Sequence, residues 1–122
     1  MQSGKERVMR KCISCNIGCA DHRIARSRPL RCSINPDIIH GDAYKQQRVI
    51  RDTNVVVIGA GTAGMEAACT AAEVGCHTWL LEEKHSIGGL ASEISLLPEK
   101  KRIADFPQFM KNRIASLDNL ML

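Results

Sequence analysis

The sequence predicts an α/β fold in which one β-α-β unit follows an irregular cysteine-rich segment. Three observations predict it. Four cysteines, Cys12, Cys15, Cys19 and Cys32, gather in the first third of the chain. A β-branched run, Val55 to Ile58, leads straight into glycines at Gly59, Gly61 and Gly64. An alanine-rich stretch then gives way to a second apolar run that ends at Leu81. The 122 residues leave room for about one ordinary domain.

Each element has its own signal. Residues 1–50 show no sustained hydrophobic period, and Gly18, Pro29, Pro36 and Gly41 punctuate them. Irregular structure pinned by the four cysteines is expected there, with a short helix near Tyr44 to Val49. A segment with so little core depends on a metal site to fold. Val55 to Ile58 is a continuous β-branched run, as expected of a strand buried on both faces. From Thr62 to Val74, the residues Ala63, Ala67, Ala71 and Val74 recur at helical spacing, and Gly75 stands where a left-handed terminator belongs. Thr78 to Leu81 reads as the second strand. Asp105 to Leu117 carries Phe106, Phe109, Met110, Arg113, Ile114 and Leu117 on a helical period and reads as an amphipathic helix.

Composition narrows the function classes. Hydrophobic residues make up 44% but aromatics only 3%, so the core must come from Val, Ile, Leu, Ala and Met. No apolar run approaches the roughly 20 residues of a membrane span. Met1 to Cys15 is polar and basic, which argues against a secretory signal. Six cysteines would permit disulfides, but four sit at ligand spacing and two lie inside the β-α-β unit. That usage points to a reducing, cytoplasmic setting. Charge is uneven: residues 1–51 carry a balance of +7 and residues 52–122 one of −3. The basic half fits either nucleic acid or a compensated anionic site. Arg23, Arg26, Arg28 and Arg31 lie in the loop between the third and fourth cysteines, where they would offset a negative metal centre or simply form a solvated face.

The cysteine spacing is C-x2-C-x3-C-x12-C. Four thiolates able to converge select zinc or an iron–sulfur cluster. Zinc sites often use two C-x2-C knuckles. Here three thiols come from one compact loop and a distant one closes the site, which favours a [4Fe–4S] cluster over zinc. His22 offers itself as a substitute ligand, but four cysteines already fill the site, so it reads as an outer or surface histidine. Cys69 and Cys76 read as small apolar fillers.

The glycine turn has the context that a lone G-x-G-x-x-G lacks. It follows a strand, opens a helix, and is answered by Glu82 at the end of the next strand. Gly59 permits the tight turn, Gly61 admits a pyrophosphate, and Gly64 allows close helix–strand packing. Thr62 and Ala63 begin the helix whose amides would face the phosphates. Glu82 would accept ribose hydroxyls, and a carboxylate there fits FAD or NAD better than NADP; Glu83 rivals it by one position. Gly88-Gly89 would let backbone pass against a pyrophosphate or flavin, or would form an ordinary loop.

Taken in order, the cysteine set, Asn35-Pro36, the run from Val55 to Gly64, Leu80-Leu81-Glu82 and Ile87-Gly88-Gly89 resemble the middle of the iron–sulfur flavoenzymes related to old yellow enzyme. That group includes 2,4-dienoyl-CoA reductase, 2-enoate reductase, trimethylamine dehydrogenase and N-methyl-amino-acid demethylases. The resemblance runs from about Lys11 to about Leu117. It implies a [4Fe–4S] cluster on Cys12, Cys15, Cys19 and Cys32. It implies FAD on Gly59, Gly61, Thr62, Ala63 and Gly64, with Glu82 on the ribose and Gly88 and Gly89 near the same cofactor. It further implies an FMN held in a separate barrel, with single electrons passing between the two flavins through the cluster. The stretch from Leu90 to Phe109 resembles the linker and helix of the family's next segment.

On this reading residues 1–50 form a cluster-binding segment and residues 51–122 a partial Rossmann-like FAD domain. Thr62 departs from the proline that the family often has there. The barrel and the nicotinamide-binding portion are the implied partners and lie outside these 122 residues. The chain is then a fragment, a split product or one subunit, and is expected to be inactive alone. The alternative is a zinc-stabilised basic module joined to a nucleotide-binding fold. The scarcity of aromatics for base stacking argues against single-stranded nucleic acid as its target.

Overall fold

The computed structural model describes residues 9–40 and 47–122. In chain order these hold a π-helical segment Ile17–Ala25, helix α1 Asp37–His40, strand β1 Asn54–Ile58, helix α2 Thr62–Glu73 and strand β2 His77–Leu81. Helix α3 Gly89–Ile94, a 3-10 helix Pro98–Ala104, helix α4 Asp105–Ala115 and strand β3 Leu120–Met121 complete the order. The β-α-β unit stands where the sequence put it. Half of the helix expected from Tyr44 to Val49 falls outside the described residues, and the other half, Gln47 to Val49, is not helical. The cysteine segment is more regular than expected. Its π-helical turns bond across five residues, from the Asp21 amide to the Asn16 carbonyl at 2.9 Å and from the Arg26 amide to the Asp21 carbonyl at 3.1 Å.

The three strands form a parallel sheet in the order β1-β2-β3. Register pairs Val56 with Trp79 and Ile58 with Leu81, and Trp79 with Met121. Helix α2 ends in a left-handed glycine cap. Gly75 has φ 103°, its amide donates to the Ala72 carbonyl, and the Cys76 amide reaches back to Ala71. This pair of bonds satisfies carbonyls that would otherwise be orphaned and turns the chain into β2. Asn119 holds β3 against the same corner, donating through Nδ2 to the carbonyls of Ala72 and Cys76, both at 2.8 Å.

The core lies on one side of the sheet. Met65, Ala68, Cys69 and Ala72 of α2 pack with Leu80 of β2, Met110 and Ile114 of α4, and Leu120 of β3. Cys69 and Cys76 are buried, in keeping with their reading as fillers. The other side of the sheet is bare. Val56, Ile58, Leu81 and Met121 are 58, 84, 50 and 52% exposed. The β-branched run of β1 was expected to be covered on both faces, and here only Val55 and Val57 turn toward the helices. A parallel strand reads as continuously apolar because both its faces are normally covered, and the described helices supply only one cover.

An ion-pair network ties the layers together. Arg113 of α4 grips Glu73 through Nε at 2.6 Å and Nη2 at 2.7 Å, and reaches Glu66 through Nη1 at 2.9 Å. Burial opposes its charge, but the two glutamates more than offset this and raise its pKa. Arg10 lies 3.9 Å from Glu66 and 4.9 Å above the Phe109 ring. The cysteine segment is thereby fastened to the face of α2 and α4.

Candidate cofactor site: a glycine turn and a cysteine cavity

The turn after β1 is built from backbone. Gly59, with φ 92°, donates its amide to the Leu81 carbonyl at 2.7 Å, locking the turn to the end of β2. Gly61 is the N-cap of α2 in an extended conformation, with no side chain closing the helix end. The amides of the first helical turn, from Thr62 onward, therefore lack intrahelical partners and point out of the helix start. A side-chain carbon on Gly61 would meet open space, whereas one on Gly64 would fall on the Gly59 carbonyl. The crossing of α2 over β1 thus requires glycine at position 64.

Glu82 lies beside this turn. Its Oε2 accepts the Ala60 amide at 2.6 Å and its Oε1 the Lys84 amide at 3.0 Å. Those two donors, Lys84 first, hold its carboxyl below the ordinary value. Two acceptor sites of a carboxylate are used and others remain. Glu83, its rival, is exposed and takes no part in these bonds. Gly88 donates its amide to the Ala60 carbonyl at 2.8 Å. A side-chain carbon on Gly89 would come within 3.1 Å of the Gly61 Cα. The second glycine pair thus lies directly across the first motif, a placement that sequence distance alone left open.

The four cysteines Cys12, Cys15, Cys19 and Cys32 line one small cavity together with Gly18 and Arg31. Left-handed backbone at Ser14 (φ 55°) and Asn16 (φ 56°) brackets Cys15 and folds the loop tightly. Cys32 reaches the cavity because Gly18 is glycine: the Arg31 amide donates to the Gly18 carbonyl at 2.8 Å, and any side chain on Gly18 would strike the Arg31 carbonyl. The Cys15 sulfur lies 3.3 Å from Ser33 Oγ, and the Ser33 hydroxyl, donating to the thiolate, lowers the pKa of Cys15. The Ser14 amide donates to Cys12 Sγ at 3.3 Å. Among the described residues no three Cys, His, Asp or Glu side chains converge closely enough to share one metal ion. The thiols surround a space rather than meeting at a point.

The neighbouring cations divide. Arg26 is paired with Asp21 at 3.0 Å, and Arg31 lines the cavity. His22 lies 3.4 Å from the Pro29 carbonyl and is absent from the cavity wall, in keeping with an outer histidine. One cation was missed from sequence: Arg102 of the 3-10 helix donates to Ser14 Oγ at 2.6 Å. No local pattern marks a contact across 88 residues.

The two motifs share a cleft. A second cavity of about 460 Å³ has Cys32 and Ser33 on one wall and Thr62, Ala63 and Glu66 on another, with Phe106 on a third side. The cysteine site and the start of α2 therefore open onto the same space.

Comparison with known proteins gives the family and the fold. The family model described as FAD dependent oxidoreductase matches residues 54–115. An NADH oxidase of Thermoanaerobacter brockii is 36% identical over 115 residues, covering 93% of this chain and 18% of the relative. A bilirubin reductase of Mediterraneibacter gnavus is 32% identical over 121 residues, covering 96% of this chain and 18% of the relative. The structure of 2-naphthoyl-CoA reductase in complex with 2-naphthoyl-CoA superposes with a TM-score of 0.83 at 30% identity, over 91% of this chain and 17% of that one. The chain thus spans less than a fifth of the length of these relatives. No described helix is long and apolar enough to cross a membrane.

Proposed function

The chain belongs to the FAD-dependent oxidoreductase family, and on that premise we propose that it is the electron-relay portion of an iron–sulfur flavin oxidoreductase. Residues 51–122 would hold FAD and residues 1–50 a [4Fe–4S] cluster that exchanges electrons with an FMN on a separate barrel. The single observation that carries this reading is the shared cleft, which brings Cys32 and Thr62 to the same space.

The donor set fits the groups. Zinc draws four thiolates onto one ion, whereas a cubane takes one thiolate on each iron. Thiols spread around a cavity wall suit the second. Gly61 leaves the approach to the α2 amides clear, and Thr62, Ala63 and Gly64 offer those amides to a pyrophosphate. Glu82 keeps acceptor capacity for a ribose while its two backbone bonds fix its orientation. Gly88 and Gly89, placed against Ala60 and Gly61, would let backbone pass close to the same cofactor. When bound, the flavin supplies two-electron chemistry and the cluster passes electrons singly. In this reading the residues of this chain bind, orient and shield, and proton transfer on a substrate belongs to the barrel. The partners in this reading are the FMN barrel and the nicotinamide-binding portion, and the setting is cytoplasmic.

The test is purification without oxygen. Brown protein containing iron and acid-labile sulfide is expected, with loss of both in Cys15→Ser. Colourless protein with stoichiometric zinc would overturn the cluster assignment and leave the zinc-stabilised basic module.

A further inference from the structure

We infer that Arg102 is a positioning residue for the cysteine site, holding Ser14 so that its amide donates to Cys12. The inference rests on the proposed cluster assignment. Three observations support it. Arg102 Nη1 donates to Ser14 Oγ at 2.6 Å. The Ser14 amide in turn donates to Cys12 Sγ at 3.3 Å. Ser14 holds φ 55°, a conformation strained for a non-glycine residue that persists only where neighbours impose it. Arg102 is such a neighbour. Without it, Ser14 is free to leave the left-handed region, and its amide swings away from the sulfur.

The anchor of Arg102 gives the contact its meaning. The 3-10 helix that carries it packs against α3, and α3 begins at Gly89, against Gly61 of the glycine turn. Ile103, next in sequence, lines the cleft beside Cys32. One continuous set of contacts therefore runs from the dinucleotide turn to the amide on Cys12. Hydrogen bonds to cluster sulfurs raise the reduction potential because they favour the more negative, reduced form. Arg102 would set that potential through Ser14, beyond any effect of its charge alone.

The experiment uses the 122-residue chain purified without oxygen. Iron and sulfide are counted, and the cluster potential is titrated by electron paramagnetic resonance. Arg102→Gln and Ser14→Ala should each shift the potential negative by similar amounts. The double variant should shift no further, because the two residues act in one chain of bonds. Lys101→Gln removes the same charge one residue away and should leave the potential in place. Arg102→Lys should recover part of the shift. A shift in Arg102→Gln with none in Ser14→Ala would reduce Arg102 to a bare charge and overturn the inference. Additive shifts, or an unchanged potential in both, would also overturn it. So would loss of iron in Arg102→Gln while Ser14→Ala keeps iron and potential. Wild-type chain without iron would overturn the cluster assignment together with this inference, whereas iron-loaded protein with unmoved potentials would overturn the inference alone.

Discussion

Gly64 rests directly on the carbonyl of Gly59, with no room for a side-chain carbon between them, while Gly61, two residues beyond Gly59, faces open space. The glycines of one motif therefore answer to different demands. Gly64 serves the fold, and in the proposed reading Gly61 serves the ligand. Gly64→Ala should destabilise the chain by about 1–3 kcal/mol or more, since backbone rather than a flexible side chain must yield. Gly61→Val should leave the unfolding midpoint nearly unchanged and weaken FAD binding by about tenfold or more, roughly 1.4 kcal/mol. Chemical denaturation and a flavin fluorescence titration on both variants separate the two roles. Equal affinity of Gly61→Val and wild type for FAD would place the cofactor elsewhere.

The thiols should divide by reactivity. Burial pushes the Cys69 thiol up to about 11, so roughly one molecule in a thousand carries the thiolate at pH 8. Cys15, lowered by its bond to Ser33, carries more. In metal-free native protein, iodoacetamide followed by mass mapping should label Cys15 first and Cys69 only after denaturation. Cys69→Ala should keep full iron content.

Glu82 should make acid stability pH-dependent. Its folded pKa lies below the ordinary 4.5. Its stabilisation is therefore fully present above that value and disappears as pH falls through the lower folded value. Glu82→Gln should be less stable than wild type at pH 7, and the gap should close in strong acid. A gap that persists unchanged at pH 2 would assign the loss to packing instead of the carboxylate.

Arg113 should resist conservative replacement. Its side chain is 12% exposed and serves two glutamates at once. Arg113→Met strands Glu73 and leaves Glu66 only its looser contact with Arg10 at 3.9 Å, and should cost about 1–3 kcal/mol, less than for a fully buried pair because the glutamates retain some solvent. Arg113→Lys should recover less than half, since an ammonium cannot reproduce the forked contact with Glu73. Thermal melts of the two variants decide this.

The 122 residues alone should turn over no enoate, dienoyl or methylamine substrate, even with cluster and FAD restored. The chain spans less than a fifth of its relatives' length, and in the proposed reading the substrate is held by the separate barrel. Substrate reduction by the isolated chain would show that some residue here does more than hold a relay.

Much of this arrangement was legible because its causes are local. A β-branched run, three spaced glycines and a terminal Gly75 each fix backbone within a few residues, so β1, α2 and β2 could be read directly. Gly88 and Gly89 were visible as a motif, but their position across Ala60 and Gly61 depends on how the chain returns. Strand β3 has two residues, too few for any period, and is defined by Asn119 and its partner strand. The π-helical turn from Ile17 leaves no hydrophobic signature because the segment packs around thiols. The bare face of Val56 and Ile58 was misread because an apolar strand reports what it is suited to lie against, not what is present. Arg102 sat in a run with Lys100 and Lys101 that looks like any solvated surface.

The five-residue bonding of Ile17–Ala25 makes the cysteine loop sensitive to insertion and deletion in a way that substitution data would not show. Removing one residue between Ala20 and Ala25 would either pull these turns into ordinary helical register, rotating the chain downstream of them by about 100°, or break them. In both cases the Arg31 amide loses the Gly18 carbonyl, and Cys32 leaves the cavity. Side chains on the outer surface of that segment are free to drift, but its length is not. Over evolutionary time such a stretch should keep its residue count while its letters change.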